Sequence, residues 1–153
     1  MTLVAWRIVK TRYAAEAFRG EGARRYGGRW TSPGRPVVYT AEHASLAALE
    51  VLVHLGSPRL LSAYSILRCE FDSALLRTLV SAELPADWRN APAPVSLRQI
   101  GDRWLTEQAS PVLGVPSAVI PLEHNYLINP LHPEFPRLTL GSPESFGFDP
   151  RLA

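Results

Sequence analysis

Residues 44–55 read Ala44-Ser45-Leu46-Ala47-Ala48-Leu49-Glu50-Val51-Leu52-Val53-His54-Leu55. They carry the clearest helical pattern in the chain, and Gly56 and Pro58 are expected to stop it. Leu46, Leu49 and Val53 recur at spacings of three and four, so they are expected to form the stripe that faces a core. Glu50 lies four after Leu46 and three before Val53, inside that stripe. A carboxylate there is costly unless it is paired, hydrogen-bonded or lining a cavity. The ordinary alternative is a carboxylate at the edge of the stripe that reaches water or a nearby Arg. The functional alternative is a partly buried carboxylate on the floor of a cleft, where electrostatic effects are strong.

Outward from this helix the chain mixes strands and helices without regular alternation. Leu3 to Val9 alternate as a half-buried strand, with Val4, Trp6 and Ile8 on one side. A polar, Gly-rich stretch from Gly20 to Gly34 closes on the turn signal Ser32-Pro33-Gly34, and Pro36 to Thr40 reads as a short strand with Val37 and Tyr39 on one face. Ala63 to Phe71 predicts another strand. Pro85 to Pro94 reads as an exposed loop. Ser96 to Gln99 matches a capping box opening a helix with Leu97, Ile100, Trp104 and Leu105 inward. Short apolar runs follow at Val112 to Pro121, Tyr126 to Ile128, Leu138 to Leu140 and Phe146 to Phe148. The expected class is α+β, one compact domain over residues 1–153.

Composition supports one soluble globular domain. The chain has 153 residues, 46% apolar and 20% charged, enough for a single core. Its lone cysteine, Cys69, excludes an internal disulfide framework and a Cys-based zinc cluster. No apolar run approaches the roughly 18 residues that span a bilayer, and no export signal is visible, so a cytoplasmic protein is expected. The net charge is +2, yet all basic residues except Lys10 are Arg. Arg12, Arg19, Arg24, Arg25, Arg29 and Arg35 fall in one early stretch. Arg offers a planar fork suited to phosphate, although a solvated surface explains most of these residues as well. No basic helix or aromatic-interleaved basic strip points to nucleic acid.

Four further places can carry chemistry. In Tyr26-Gly27-Gly28-Arg29-Trp30, paired glycines let backbone approach a ligand, and Arg29 could clamp a pyrophosphate; a turn is the plainer reading. Neither GxGxxG nor GxxxxGK[ST] is present. Tyr39 can stack on a planar ring or sit in the core. Ser117, in Val115-Pro116-Ser117-Ala118-Val119, is a small hydroxyl in an apolar run and not a nucleophile elbow. Asn125 and Asn129 can fix a turn or bind a ligand.

In this order the pieces resemble the RES domain, a family named for Arg, Glu and Ser. Three stretches carry the resemblance: Gly27-Gly28-Arg29-Trp30-Thr31-Ser32-Pro33-Gly34 leading into Val37-Val38-Tyr39-Thr40; Ser45 through His54; and Val115 through Pro121 followed by Asn125-Tyr126-Leu127-Ile128-Asn129-Pro130. The opening Trp6-Arg7 and closing Phe148-Asp149-Pro150-Arg151-Leu152 extend it over nearly the whole chain. Thr31 departs from the Asn frequent in the family, which puts one hydrogen bond in question.

The resemblance implies a toxin of a bacterial type II toxin–antitoxin pair. It implies an ADP-ribosyltransferase-like core of two small sheets with flanking helices and a cleft between the sheets. NAD+ is the implied substrate, degraded by hydrolysis or phosphorolysis, or used to transfer ADP-ribose to a protein; no other cofactor and no metal are implied. A helix-turn-helix antitoxin that covers the cleft, and a homodimer, are the implied partners; direct DNA binding is not expected. Carried over by position, Arg29, Tyr39 and Glu50 are catalytic. Tyr26, Gly28, Ser117, Arg7 and Asn125 are expected at the substrate site. Nicotinamide is already a cationic leaving group, so the reaction needs a fixed carboxylate to stabilise an oxocarbenium-like transition state, a role for Glu50. Arg29 would hold the pyrophosphate, Tyr39 would stack on nicotinamide, and Ser117 would bind nucleotide or hold Arg29 or Glu50.

Two other classes fit less well. A metal hydrolase would gather Glu50, His54 and His124 or His132, but the motif is incomplete. A silent binding protein would have no need of an intact Arg29, Tyr39 and Glu50 set.

Overall fold

A computed structural model describes residues 1–55 and 63–152. The elements in chain order are β1 (Thr2–Lys10), α1 (Glu21–Tyr26), β2 (Val38–Ala41), α2 (Ala44–His54), β3 (Tyr64–Asp72), β4 (Leu76–Thr78), α3 (Val95–Glu107), β5 (Val112–Pro116), β6 (His124–Ile128), β7 (Thr139–Leu140) and β8 (Glu144–Phe146). The α+β class is as expected. Gly56 and Pro58, expected to end α2, lie outside the described residues.

The strands join in one sheet rather than two, in the order β4-β5-β6-β2-β1-β3-β7, with β8 also on β3. The expectation of two small sheets is corrected in a specific way. β1 pairs with β3 over its whole length, from Thr2↔Asp72 to Lys10↔Tyr64, but touches β2 at a single register pair, Trp6↔Ala41. β2 runs antiparallel to β6 from Val38↔Ile128 to Ala41↔Asn125. The sheet is therefore two well-paired halves hinged at one pair of residues. Beyond that pair the ladder opens, and an Arg7 nitrogen takes up the Tyr39 carbonyl (2.7 Å). A buried backbone carbonyl needs a donor, and the guanidinium supplies it.

Alternation along the strands sorts side chains to two faces. Ala5, Val38, Cys69, Phe71, Val112, Tyr126 and Ile128 pack on one face. On the other face, Val37, Leu113, Val115 and Leu127 meet the α3 side chains Leu97, Trp104 and Leu105. Ile8, Ala41 and Tyr64 on that same face meet Leu46 and Ala47 of α2. The two longer helices thus cover different halves of one face, and the cleft opens between them.

Two helical expectations change. In α2, Leu46 and Ala47 are buried, but Leu49 is 38% and Val53 63% exposed. The inward face runs Leu46, Ala47, Glu50, Val51, so Glu50 does face inward, though not in the company first assigned to it. In α3, Pro94 is the N-cap and no side chain caps the helix, so the Ser96–Gln99 capping box does not form. Leu97, Trp104 and Leu105 are buried as read, and Ile100 packs beside them. The Gly20–Gly34 stretch is not all loop, because it contains α1.

Candidate active site

A cleft of about 840 Å³ opens between α2 and α3. Its lining includes Arg7, Gly28, Arg29, Tyr39, Glu50, Arg98 and Asn125. Six of the eight expected site residues therefore share one cavity; Ser117 and Tyr26 are not part of its lining. Ser117 is completely buried behind Glu50, and Tyr26 is 77% exposed at the end of α1.

Glu50 is held from two strands' ends. The Ser117 hydroxyl donates to Oε1 at 2.9 Å, and Asn125 Nδ2 donates to both carboxylate oxygens at 2.9 Å. Each donor is itself fixed. Ser117 Oγ accepts the Val119 and Ile120 amides, both at 3.1 Å, and Asn125 Nδ2 also donates to the Thr40 carbonyl. Burial pushes the Glu50 carboxyl above its ordinary range, and the hydrogen bonds from Asn125 and then Ser117 pull against that rise. His54 favours the charged form and Glu123 opposes it. The result is a partly buried carboxyl whose rise is limited because its oxygens are met by protein donors.

The second cluster is built on a tight turn. Gly27 has φ 70°, and the Gly28 amide donates to the Thr31 carbonyl at 2.9 Å. At Gly28 a Cβ would lie 2.4 Å from the Tyr39 hydroxyl, so only glycine lets that tyrosine in. The Tyr39 oxygen accepts the Trp30 amide (3.1 Å) and pairs with Thr31 Oγ1 (2.8 Å). Burial raises the Tyr39 pKa, so the phenol is neutral. Thr31 is fully buried and makes this bond with its own hydroxyl, which answers the question raised by its departure from Asn. Tyr39 thus fastens the turn that carries Arg29, and its ring lines the cleft.

Arg29 does not lie free in the cleft. Its Nη1 donates to the Trp88 and Asn90 carbonyls at 3.1 and 2.8 Å, tying the 85–94 loop to the turn. Arg7 is half-buried; its Nε is sealed without a hydrogen-bond partner, and burial pushes its pKa down to about 10, still charged at neutral pH. The other early arginines mostly spend their charge locally: Arg24 pairs with Glu21 at 2.9 Å and Arg19 with Glu16 at 3.7 Å.

His124 and His132 do not join His54 at Glu50. His132 binds the Gln108 carbonyl and the Glu134 amide, and His124 lies 3.5 Å from Glu42. Glu42, His43 and Glu123 do bring donor atoms within 4.8 Å of one another, but they answer each other and nearby backbone: His43 Nδ1 to Glu123 at 2.9 Å, the His124 amide to Glu42 at 2.7 Å.

Arg98 is the site residue that sequence reading missed. It sits on α3, lines the cleft, and its Nε donates to the Gly28 carbonyl at 3.2 Å. No local spacing links it to Gly28, 70 residues earlier.

No helix among the described residues is long and apolar enough to cross a membrane. Residues 4–149 match the model of the RES domain family. A protein of Yersinia enterocolitica named Toxin Res is 40% identical over 151 residues, covering 98% of this chain and 99% of the relative. A protein of Sphingobium named Prs ADP-ribosylating toxin is 34% identical over 157 residues, covering 99% and 98%. Among solved structures, a chain of the Mycobacterium tuberculosis MbcT–MbcA toxin–antitoxin complex superposes with a TM-score of 0.77 at 21% identity, over 99% of this chain and 87% of that one. The family model spans nearly the whole chain and relatives at 34–40% identity cover it end to end: the chain belongs to the RES domain family.

Proposed function

We propose that this protein is the toxin of a toxin–antitoxin pair and that it cleaves the nicotinamide–ribose bond of NAD+. The observation that carries the reading is Glu50: a partly buried carboxyl group at the cleft wall, oriented by Ser117 and Asn125 and, among the described residues, engaged in no salt bridge. Breaking the glycosidic bond of NAD+ develops positive charge on ribose as neutral nicotinamide departs. A pre-oriented anion stabilises that charge without reorganising, and low local dielectric strengthens the effect. Arg7 and Arg98 give the rest of the cleft a positive character suited to a dianionic pyrophosphate. The Tyr39 ring offers a flat face for nicotinamide.

Water, phosphate or a protein side chain could capture the ribosyl cation. Hydrolysis or phosphorolysis is the first reading; Glu50 and its donors act on the leaving step, which is common to all three acceptors. Transfer to a protein is the second reading, supported by the name of the Sphingobium relative, an ADP-ribosylating toxin. A cognate antitoxin over the cleft is the partner proposed. Val53, 63% exposed and part of the cleft lining, supplies apolar surface that such a partner would bury.

The test is incubation with NAD+, with and without phosphate and protein acceptors, and identification of every adenosine-containing product. Glu50→Gln keeps the size and an acceptor for Ser117 but loses the charge. It is expected to lower kcat by about 100-fold or more, the scale of losing one transition-state electrostatic contact. Unchanged NAD+ consumption by a folded Glu50→Gln protein would refute the assignment.

A further inference from the structure

The geometry points to Arg98, rather than Arg29, as the guanidinium that receives the pyrophosphate of the dinucleotide. This rests on the reading of NAD+ as substrate. What separates the candidate cations is the hydrogen-bonding capacity each has left to give. Arg29 gives Nη1 to two loop carbonyls and keeps Nε and Nη2, one N–H fewer than Arg98 has left. Arg7 Nη1 is committed to the Tyr39 carbonyl, and its Nε is sealed inside the protein. Among the described residues Arg98 makes one bond, from Nε to the Gly28 carbonyl, and neither terminal nitrogen has a partner there. No carboxylate among the described residues lies within ion-pair distance of it. Two free N–H groups on one planar end match the spacing of phosphate oxygens.

Its platform is fixed beforehand. Gly101 lets α3 press against the Trp30–Thr31 backbone, where a Cβ would come 1.9 Å from the Trp30 carbonyl oxygen. Asp102 Oδ2 and Oδ1 accept the Ser32 hydroxyl (2.6 Å) and amide (2.9 Å). α3 is thereby stapled to the turn of residues 27–34 on the side facing Arg98. Arg98 reaches back over Gly28 and stands close enough to Tyr39 for its charge to favour the phenolate. Arg29 then serves the cleft indirectly, by holding the 85–94 loop, whose Ala91, Pro92 and Ala93 wall the same cavity.

Nicotinamide riboside separates the two halves of the substrate, because it has the same scissile bond and no pyrophosphate. Arg98→Ala is expected to raise KM for NAD+ by about 10–100-fold, the scale of losing a charge-assisted contact, and to leave cleavage of the riboside within about twofold. Affinity for ADP, read by calorimetry without turnover, falls by the same factor. Arg98→Lys restores part of both, as a point charge without the fork. Equal ADP affinity in wild type and Arg98→Ala, absence of ADP binding by wild type, or parallel loss of riboside cleavage would each overturn the proposal. If wild type consumes no NAD+ yet ADP binding still depends on Arg98, the substrate reading fails and the anion site stands.

Discussion

The two walls of the cleft hold their charges by opposite means. On the α2 side, the Glu50 carboxylate is gripped by three hydrogen bonds from Ser117 and Asn125, whose own positions are set by strand and turn backbone. On the α3 side, Arg98 and Arg29 are long cations, each anchored by one nitrogen and fastened to a turn or a loop. The first arrangement suits charge that must be in place when a bond breaks. The second suits capture of a ligand whose approach is variable. The carboxylate wall is preorganised for chemistry, and the guanidinium wall for binding.

The substitution that should disturb this contrast most is Gly101→Ala. A methyl group 1.9 Å from a backbone carbonyl cannot be absorbed by a side-chain turn, so α3 must move away from Trp30. Overpacking of this kind costs about 1–3 kcal/mol. Thermal denaturation should show a Tm lower by several degrees, and the displaced Arg98 should raise KM for NAD+. The Glu50 wall does not depend on α3, so kcat is expected to hold within a few-fold. A kcat that falls as far as the affinity would mean the two walls are not independent.

Asn125→Ala sharpens the other side. Glu50 must be ionised to act, so activity is present above its pKa and is lost as pH falls through it. That pKa is already raised by burial, and the Asn125 bonds are the largest influence holding it down. Removing them should move the acid limb of kcat to higher pH and lower the plateau by about tenfold, the worth of a hydrogen bond to a charged group. Ser117→Ala should do the same to a smaller degree, following the order of the two influences. The stability effect has the opposite sign. A carboxyl whose folded pKa is raised stabilises the fold below its ordinary value of 4.5, and that contribution is lost as pH rises through the folded pKa. Tm measured against pH should therefore fall more steeply with rising pH in Asn125→Ala than in the parent. An unmoved acid limb would separate Glu50 from the rate.

Much of this was legible in the residue order, and the exceptions have physical causes. β1 and β3 follow from alternation, and their observed ranges agree closely with the reading; α3 follows from apolar spacing, with Leu97, Trp104 and Leu105 buried as read. In α2 almost every side chain from Leu46 to Val53 is apolar, so periodicity cannot choose between adjacent stripes; the fold buries Leu46 and Ala47 and leaves Leu49 and Val53 outside. Glu50 belongs to either stripe, which is why its inward position survived the wrong choice of neighbours. The single Trp6↔Ala41 contact was invisible, because a ladder that opens after one pair leaves the alternation of each strand intact. The partners of Arg29 and Arg98 were invisible too, since both lie about 60 to 70 positions away and are backbone carbonyls with no sequence signature.

Tyr39 tests the contrast most finely because it belongs to both walls. Its ring lines the cleft, while its hydroxyl accepts the Trp30 amide and pairs with Thr31 Oγ1. Tyr39→Phe removes only the fastening. It should cost about 1–3 kcal/mol of stability, since the Trp30 amide and Thr31 hydroxyl lose a buried partner, and it should leave kcat within about threefold. Tyr39→Ala removes the ring as well, and its further loss of activity measures what stacking contributes. A phenylalanine variant as inactive as the alanine one would show that the hydroxyl, through its hold on the Trp30–Thr31 turn or directly, contributes as much as the ring, and would overturn the assignment of stacking as the main role of Tyr39.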